Sequence, residues 1–282
     1  MSILSPSAPA QDPQSKRALL FEAMRDLRLS VVVPVFNEGV NLKAKVALLM
    51  KEVSPYFRSC EFLLVNDGST DGTQTVLQAL DFPNVRIIGY DRNSGKGFAV
   101  REGFKAATGD YVLFIDGGME LHPRDIKVFL GLMQLYDCDI VMGSKRHPQS
   151  QVDYPWSRRI LSFIFQFLVR LVFKVNVTDT QVGLKLLKRD VVDAILPHLT
   201  IDRYGFDLEM LVLARRKGFR RFLEAPIRLD YFNHNRRSFV REYIHVFRVG
   251  LSILKDTWRI YQRLQDVPSG EPENRASKNE AA

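Results

Sequence analysis

The residues that could do chemistry begin with a short acidic and glycine-rich stretch in the middle of the chain. Asp116 follows five mostly apolar residues, and Gly117, Gly118 and Glu120 come soon after it. An uninterrupted apolar run bounded by turn signals is typical of a buried strand, and open α/β sheets bind ligands beyond the carboxyl ends of such strands. Glycines let a ligand approach the backbone, and a carboxylate beside such a gap suits a divalent cation that carries phosphates. Taken alone, the stretch indicates an ordinary Asp-Gly turn.

Three further strand ends carry residues of the kinds that a nucleotide site needs. The first predicted strand is followed by Phe36 and Glu38, the second by Asp67, and the third leads to Lys96 in a glycine loop. An aromatic ring can stack on a base, and carboxylates can accept hydrogen bonds from ring N–H groups or ribose hydroxyls. A lysine at a helix N-terminus suits phosphate oxygens. Four such turns along one sheet edge predict a nucleotide site in which a metal at Asp116 bridges the diphosphate.

The elements that must position these residues alternate between strands and helices. Strands are predicted over 29–35, 61–65, 85–90, 110–115 and 138–143. Four helices are predicted between and after them: over 41–56, from the 66–72 turn to residue 80, from the 93–97 loop to residue 107, and from residue 123 onward. This alternation predicts an α/β fold, a mostly parallel sheet flanked by helices.

The pattern changes beyond residue 150. Helices are predicted over 156–173, 206–217 and 239–264, and strands over 183–188, 219–223 and 227–231. The predicted domains are a disordered extension with a short helix (1–28), an α/β domain (29–238), an amphipathic helix (239–265) and a disordered tail (266–282).

The composition favours an intracellular globular protein with an anionic partner. The chain has 40 Lys and Arg against 32 Asp and Glu, a net charge of +8, and the excess is concentrated between Arg215 and Arg263. Such a patch favours membrane surfaces, phosphates or nucleic acid, but no groove-reading motif indicates nucleic acid. Cys60 and Cys138 lie in apolar contexts, which indicates a reducing compartment. Neither a secretion signal nor a membrane-spanning run is expected.

The motifs at the strand ends resemble those of family 2 glycosyltransferases with the GT-A fold. The resemblance rests on Val33-Pro-Val-Phe-Asn-Glu38, Val65-Asn-Asp-Gly-Ser-Thr-Asp-Gly72, Asn93-Ser-Gly-Lys-Gly97 and Phe114-Ile-Asp-Gly-Gly118. Three later stretches narrow it to the polyprenyl-phosphate (dolichyl-phosphate) mannosyl- and glucosyltransferases: Gly143-Ser-Lys-Arg146, Asp179-Thr-Gln-Val-Gly-Leu-Lys185 and Gly205-Phe-Asp-Leu-Glu209. The resemblance implies inverting transfer of a sugar from GDP-mannose or UDP-glucose to a lipid phosphate, with Mg²⁺ or Mn²⁺.

Roles for individual residues follow from matching these motifs. The donor would be bound by Pro34, Phe36, Glu38, Asp67, Lys96, Asp116, Gly117 and Gly118, and the metal by Asp116 and Glu120. The catalytic residues would be Asp116, Asp207 and Arg146. The acceptor would meet Arg146, Arg158, Ser162, Asp179, Gln181 and Arg237.

Gly118 departs from the family's Asp-x-Asp motif, whose second carboxylate belongs at this position. Residues two apart on a strand face the same side, so the motif's two carboxylates grip one site, and losing one weakens metal affinity. Three hypotheses stay open: a weakened but active site, a site rebuilt around Glu120, or an inactive transferase.

The nature of the acceptor decides which catalytic groups are needed. A lipid phosphate is already an anion near pH 7, so arginines are expected rather than a carboxylate base. Two alternatives remain: a transferase with a soluble or glycan acceptor, in which Asp207 or Glu209 is the base, and a catalytically silent protein that binds nucleotide sugar or membrane. The apolar faces of the helices over 156–173 and 239–264, with the basic excess, favour peripheral binding to an anionic cytoplasmic leaflet.

Overall fold

The strands and helices are seen in a computed structural model that describes residues 26–152, 169–175, 177–229 and 252–270. The strands are β1 (Arg28–Val35), β2 (Ser59–Asp67), β3 (Val85–Tyr90), β4 (Tyr111–Ile115), β5 (Ile140–Ser144), β6 (Gln151–Val152), β7 (Leu184–Lys188), β8 (Phe222–Pro226) and β9 (Arg228–Leu229). The helices are α1 (Leu42–Val53), α2 (Thr73–Gln78), α3 (Lys96–Ala106), α4 (Ile126–Tyr136), α5 (Arg189–Ile195) and α6 (Phe206–Arg216). Residues 169–173 and 252–263 are also helical; we call the latter the C-terminal helical segment.

Seven of these strands form one sheet in the order β3-β2-β1-β4-β7-β5-β8. β1 is parallel to β2 and β4, and β2 is parallel to β3, so the carboxyl ends of β1 to β4 lie on the same edge. From β1 the chain moves outward to β2 and β3, and then returns to form β4 on the other side of β1. The edge between β1 and β4 is therefore the topological switch point, where open α/β sheets leave a crevice for ligands.

β7 is the exception to the parallel arrangement. It runs antiparallel between β4 and β5, while β8 is parallel to β5. β6 and β9 form a separate two-stranded pair. The prediction of a mostly parallel sheet flanked by helices is thus confirmed, with one antiparallel strand inserted beside the switch point.

The inner strands β1, β4, β5 and β7 are buried on both faces. Val32 and Phe114 pack into one apolar cluster with residues of α3 and α6, whereas Val31, Val33 and Leu113 pack into the other with residues of α1 and α4. Successive side chains of a strand point to opposite faces, so continuous apolar runs such as β1 and β4 supply both clusters. Full burial of one such side chain stabilises the fold by about 1.5–3 kcal/mol.

The elements after β5 differ most from the predicted ones. β8 begins at Phe222, three residues after the predicted start at residue 219. The cause is Asp139, whose Oδ2 accepts hydrogen bonds from the backbone N–H groups of Arg220 (2.9 Å) and Arg221 (3.0 Å) and so holds them in a loop. The helix α5, which follows β7 directly, was not predicted.

Several predictions concern residues outside the described ranges. They include the extension before residue 26, most of the helices over 156–173 and 239–264, and the tail beyond residue 270. The described portions of the two long helices are helical, as predicted. In the described part of the chain, no helix has both the length and the apolar character needed to cross a membrane.

Candidate functional site

The crevice at the switch point is formed by the segments that follow β1 and β4. Phe36 comes directly after β1 and is 43% exposed, so its ring is available for stacking. The two segments are in close contact, since a Cβ on Gly117 would lie 2.3 Å from the carbonyl oxygen of Pro34. A side chain at Gly117 would therefore force the two strand ends apart. The predicted donor residues Pro34, Phe36 and Gly117 lie together.

Asp67 joins the second strand end to the third. Its carboxylate accepts hydrogen bonds from the backbone N–H groups of Ser94 (2.7 Å) and Gly95 (2.9 Å) and from Nδ2 of Asn93 (2.9 Å). Asp67 is 3% exposed, so these bonds are formed in a largely water-free environment, where hydrogen bonds to a charged group contribute most. Asp67 thereby positions the glycine loop that precedes Lys96, and its contact with the donor stays a prediction.

Lys96 connects the sheet edge to α6. Its Nζ lies 2.8 Å from Oδ1 of Asp116 and 3.4 Å from Oδ2 of Asp207, and 5.0 Å from the ring centroid of Phe114. Burial by itself lowers the pKa of Lys96, but the charges of Asp116 and Asp207 raise it by more, so the net pKa is above its ordinary value. Lys96 therefore keeps its positive charge beside Asp116 at the sheet edge, and its contact with a diphosphate stays a prediction.

Beneath Lys96, Lys185 of β7 and Asp207 of α6 form a buried ion pair. Nζ of Lys185, which is fully buried, donates to Oδ1 of Asp207 at 2.5 Å and to the carbonyl oxygen of Val182 at 2.6 Å. Burial lowers the pKa of Lys185, and Asp207 offsets only part of this decrease. The four side chains Lys185, Asp207, Lys96 and Asp116 alternate in charge and end at the crevice; we call them the charge chain.

Glu209, the other acidic residue of α6, stabilises the turn at Thr200 and Ile201. It accepts hydrogen bonds from the backbone N–H groups of Thr200 and Ile201 and from the hydroxyl of Thr200. Burial raises the pKa of Glu209 although these bonds oppose the increase. The turn that Glu209 holds packs on the start of α3, because a Cβ on Gly97 would lie 2.3 Å from the carbonyl oxygen of Ile201. Glu209 is thus an anchor for the turn beside Lys96.

The predicted metal ligands Asp116 and Glu120 would need a cation that brings phosphate ligands of its own. Asp116 is 43% exposed at the crevice, and a Cβ on Gly118 would lie 3.7 Å from Oε1 of Glu38 and 3.9 Å from Cγ of Glu120. The described residues contain no group of three or more His, Cys, Asp or Glu that could form a complete cage. Mg²⁺ is commonly held by one or two carboxylates together with substrate phosphates, and Asp116 with Glu120 would supply that number.

The predicted acceptor residues Asp179 and Gln181 lie in the segment that leads into β7. The carboxylate of Asp179 accepts hydrogen bonds from the backbone N–H groups of Lys145 and Gln181, both at 3.2 Å. Within the described structure, Nε2 of Gln181 is buried without a hydrogen-bond partner. The same segment reaches Asp116, whose N–H donates to the carbonyl oxygen of Gly183 at 2.9 Å. The segment that carries Asp179 and Gln181 is therefore joined to the backbone at Asp116, and the contact of both side chains with the acceptor stays a prediction.

The remaining acceptor predictions divide into two groups. Arg146 follows β5, and its backbone N–H donates to Oγ of Ser144 at 3.3 Å in the turn that also contacts Asp179. Arg158, Ser162 and Arg237 lie outside the described residues.

Sequence reasoning missed two residues that organise the site. Lys185 was noted only as part of a motif, although a lysine among the leucines of a buried strand is itself a signal of a buried partner. Glu224 had no such signal: its Oε1 accepts hydrogen bonds from the backbone N–H groups of Thr178 and Asp179 and so fixes the segment before Gln181.

Comparisons with known proteins agree on one family. The chain matches the family model described as "Glycosyl transferase family 2" over residues 30–196. It is 34% identical over 225 residues to a dolichyl-phosphate beta-glucosyltransferase of Drosophila melanogaster, covering 72% of this chain and 68% of that protein. A protein of the same name in Dictyostelium discoideum is 29% identical over 206 residues, with coverages of 68% and 63%. Glycosyltransferase AglD of Haloferax volcanii is 27% identical over 241 residues, which are 84% of this chain and 38% of that protein. The chain thus spans less than two thirds of the length of the latter two relatives.

Solved structures with the same fold include glucosyl-3-phosphoglycerate synthase from Mycobacterium tuberculosis in complex with Mn²⁺, uridine diphosphate and phosphoglyceric acid. The TM-score is 0.63 at 17% identity, covering 95% of this chain and 86% of that chain. A further mycobacterial protein has a TM-score of 0.64 at 18% identity, with coverages of 92% and 80%. At these identities the likeness concerns the fold, and it confirms the predicted GT-A architecture.

Proposed function

The chain belongs to glycosyl transferase family 2, and we propose that it transfers a hexose from a nucleotide sugar to a polyprenyl phosphate. The observation that carries the proposal is the charge chain, which brings Lys96 and Asp116 to the switch point of a GT-A sheet. The names of the Drosophila and Dictyostelium relatives support the acceptor class.

The donor would lie across the ends of β1, β2 and β4. Phe36 stacks on the base, Glu38 and Asp67 accept from the nucleoside, and Lys96 contributes a fixed positive charge to the diphosphate. Asp116 and Glu120 would hold Mg²⁺ or Mn²⁺, which would stabilise the negative charge of the departing nucleoside diphosphate. Because Lys96 already contacts Asp116, donor binding exchanges one of its carboxylate contacts for a phosphate oxygen.

The acceptor would attack from the side of Asp179 and Gln181. A phosphate anion needs no base, and this matches the state of Asp207, both of whose carboxylate oxygens contact ammonium groups. Arg146 balances the negative charge of the acceptor, and Arg158, Ser162 and Arg237 complete this role by their match to the family. A single displacement at the sugar carbon inverts its configuration.

The protein would meet its acceptor by binding peripherally to the cytoplasmic face of a membrane. The C-terminal helical segment exposes Leu254, Trp258 and Tyr261, which are 49%, 61% and 44% accessible. Exposed aliphatic and aromatic side chains beside basic residues favour the lipid interface, and the two free cysteines are compatible with a reducing compartment.

A panel of nucleotide sugars tests the proposal. The full chain is incubated with GDP-mannose or UDP-glucose, polyprenyl phosphate and Mg²⁺ or Mn²⁺, and release of nucleoside diphosphate is measured. Release that requires the lipid phosphate supports the proposal, and Asp116→Asn should abolish it. Release with a soluble glycan acceptor instead would favour a transferase that acts on soluble or glycan acceptors. Nucleotide binding without release would favour a catalytically silent protein that binds nucleotide sugar.

A further inference from the structure

A cavity of about 470 Å³ lies at the end of α6 opposite the candidate site. α6 begins beside Asp207 and ends with Arg215 and Arg216. Asp207 and Arg215 are separated by roughly 12 Å along the helix axis, at 1.5 Å per residue. The end of the helical stretch at 169–173 forms a second wall, and a third is formed by Tyr261 of the C-terminal helical segment and by residues that follow this segment. The cavity is therefore distinct from the crevice at Asp116.

Among the residues that the structure describes, the charged lining of this cavity is entirely positive. It consists of Lys174, Arg215, Arg216 and Arg220, and no described carboxylate lines it. Among the described residues, none of the four is paired with a carboxylate. Arg216 is held in place by the hydrogen bond from its Nε to the carbonyl oxygen of Val267 at 3.0 Å. Burial lowers the pKa of Arg215, and the nearby charge of Arg220 lowers it further. Cations gathered without a counter-ion attract an anionic ligand.

Apolar side chains flank the cations on two sides. Val172 and Phe173 line one wall, and Tyr261 and Leu264 line another. Tyr261 stacks on Trp258 with ring centroids 5.9 Å apart, and Trp258 is 61% exposed. Such aromatic side chains are enriched at the head-group level of membranes, where one end is apolar and the other is wet. A soluble anion would leave this exposed apolar surface in water, whereas a lipid would cover it.

We propose that this cavity binds the phosphate head group of an anionic phospholipid, while Trp258 and Tyr261 enter the interfacial layer beside it. The inference rests on the peripheral membrane binding in the proposed function and assigns that binding to a particular surface. It concerns a bilayer lipid and not the sugar acceptor, because the cavity and Asp116 are at opposite ends of α6.

Vesicle binding by charge-matched variants tests the inference. The full chain is sedimented with phosphatidylcholine vesicles containing phosphatidylglycerol, and with vesicles of phosphatidylcholine alone. Arg215→Gln/Arg220→Gln should bind the anionic vesicles about 30-fold more weakly than the natural chain, given the typical contribution of one cation at a membrane surface. Lys43→Gln/Lys51→Gln removes the same charge from exposed positions of α1 and should bind nearly as well as the natural chain. Arg215→Lys/Arg220→Lys keeps the charge and should retain most of the binding.

Three outcomes would overturn the inference. Equal losses in the two Gln variants would mean that net charge alone drives binding. An equal loss in the Lys variant, with a lowered thermal midpoint, would mean that the arginines are structural. Displacement from vesicles by inorganic phosphate or glycerol phosphate at constant ionic strength would identify a soluble-anion site. A chain that binds vesicles through Arg215 and Arg220 but releases no nucleoside diphosphate would support this surface and contradict the proposed reaction.

Discussion

Lys185 has the most demanding environment of the residues in the charge chain. Its ammonium is fully buried, and it is stabilised by the carboxylate of Asp207 and the carbonyl oxygen of Val182. A buried ion pair contributes little net stability compared with apolar residues, but removing one partner leaves an uncompensated buried charge. We infer that the pair is present to hold Asp207 against Lys96, and hence to position Lys96 at the crevice.

Replacing Lys185 by methionine should therefore affect both stability and activity. We expect Lys185→Met to lower the free energy of unfolding by about 3–5 kcal/mol, the typical cost of a broken buried pair. Turnover should fall as well, because Lys96 would then become the sole cation facing Asp207 and would be drawn away from Asp116. Urea denaturation and nucleoside diphosphate release measure the two effects.

A double variant separates the two roles. Lys185→Met/Asp207→Leu removes both charges and keeps a similar volume, so most of the lost stability should return. Turnover should stay low because Lys96 has lost a carboxylate that positions it. Recovery of full turnover together with stability would show that the pair is a packing feature without a part in the reaction.

Gly118 is the residue whose replacement tests the metal site directly. A Cβ there meets no atom closer than 3.7 Å, so Gly118→Asp fits and adds a carboxylate beside Glu38 and Glu120. We expect the metal concentration for half-maximal turnover to fall by roughly tenfold, since ligand charge sets affinity for hard cations. Gly118→Asn, of the same size without the charge, is the control. Identical metal titrations for the natural chain and Gly118→Asp would contradict this expectation.

Among the elements, the junction between α3 and α6 controls the position of Lys96. The backbone N–H of Phe98 donates to the carbonyl oxygen of Asp202 at 3.2 Å, and the ideal Cβ positions on Gly95 and Gly97 lie 2.3 Å from the carbonyl oxygens of Asp202 and Ile201. The N-terminus of α3 is thus pressed against the turn that Glu209 anchors. Glycine is required here by close backbone approach, and at Gly95 also by a φ of 107°.

Alanine at Gly97 should disturb the donor site through this junction. The added methyl would collide with Ile201 and Phe206, so Gly97→Ala should lower stability by about 1–3 kcal/mol, a typical cost of overpacking, and weaken nucleotide binding. Gly131→Ala in α4 is the matched control: no atom lies within 4 Å of its Cβ, and helix propensity favours alanine by about 1 kcal/mol. Denaturation and calorimetric titration with UDP and GDP measure both properties. Unchanged nucleotide affinity in a destabilised Gly97→Ala would argue against the junction's role.

For the molecule as a whole, the two cysteines report on opening of the core. Cys60 and Cys138 belong to the same apolar cluster, and burial raises the pKa of each thiol to about 11. A free thiol has a pKa near 8.5, and the thiolate is the reactive form. At pH 8 both native thiols are therefore protonated and shielded.

Alkylation at pH 8 should accordingly depend on unfolding. We expect iodoacetamide to modify the native cysteines at least roughly a hundredfold more slowly than the denatured chain, because the thiolate fraction falls with the raised pKa. A cysteine introduced at Leu135, which is 61% exposed, should react quickly and serves as the control. Rapid modification of Cys60 or Cys138 without denaturant would contradict the packing of this cluster.

Much of the crevice could be predicted because it depends on local patterns. Apolar runs ending in Asp67 and Asp116, with a glycine loop before Lys96, specify strand ends, and the carboxyl ends of parallel strands share an edge. The predicted positions of Phe36, Asp67 and Asp116 around one switch point therefore needed no knowledge of distant contacts. The direction of β7 and the start of β8 do require knowledge of distant contacts. β8 begins later than the local pattern predicts because Asp139, from another part of the chain, accepts hydrogen bonds from the residues before it.

The sequence by itself determined the fold class, the strand ends and the glycosyltransferase chemistry of the family. The tertiary structure decided what supports that chemistry: β7 enters antiparallel beside β4 and places Lys185 under the crevice, and α6 brings Asp207 to Lys96 from 111 positions away. Strand order and the packing of a distant helix depend on non-local burial and charge pairing, and a local pattern of apolar and polar residues does not specify either.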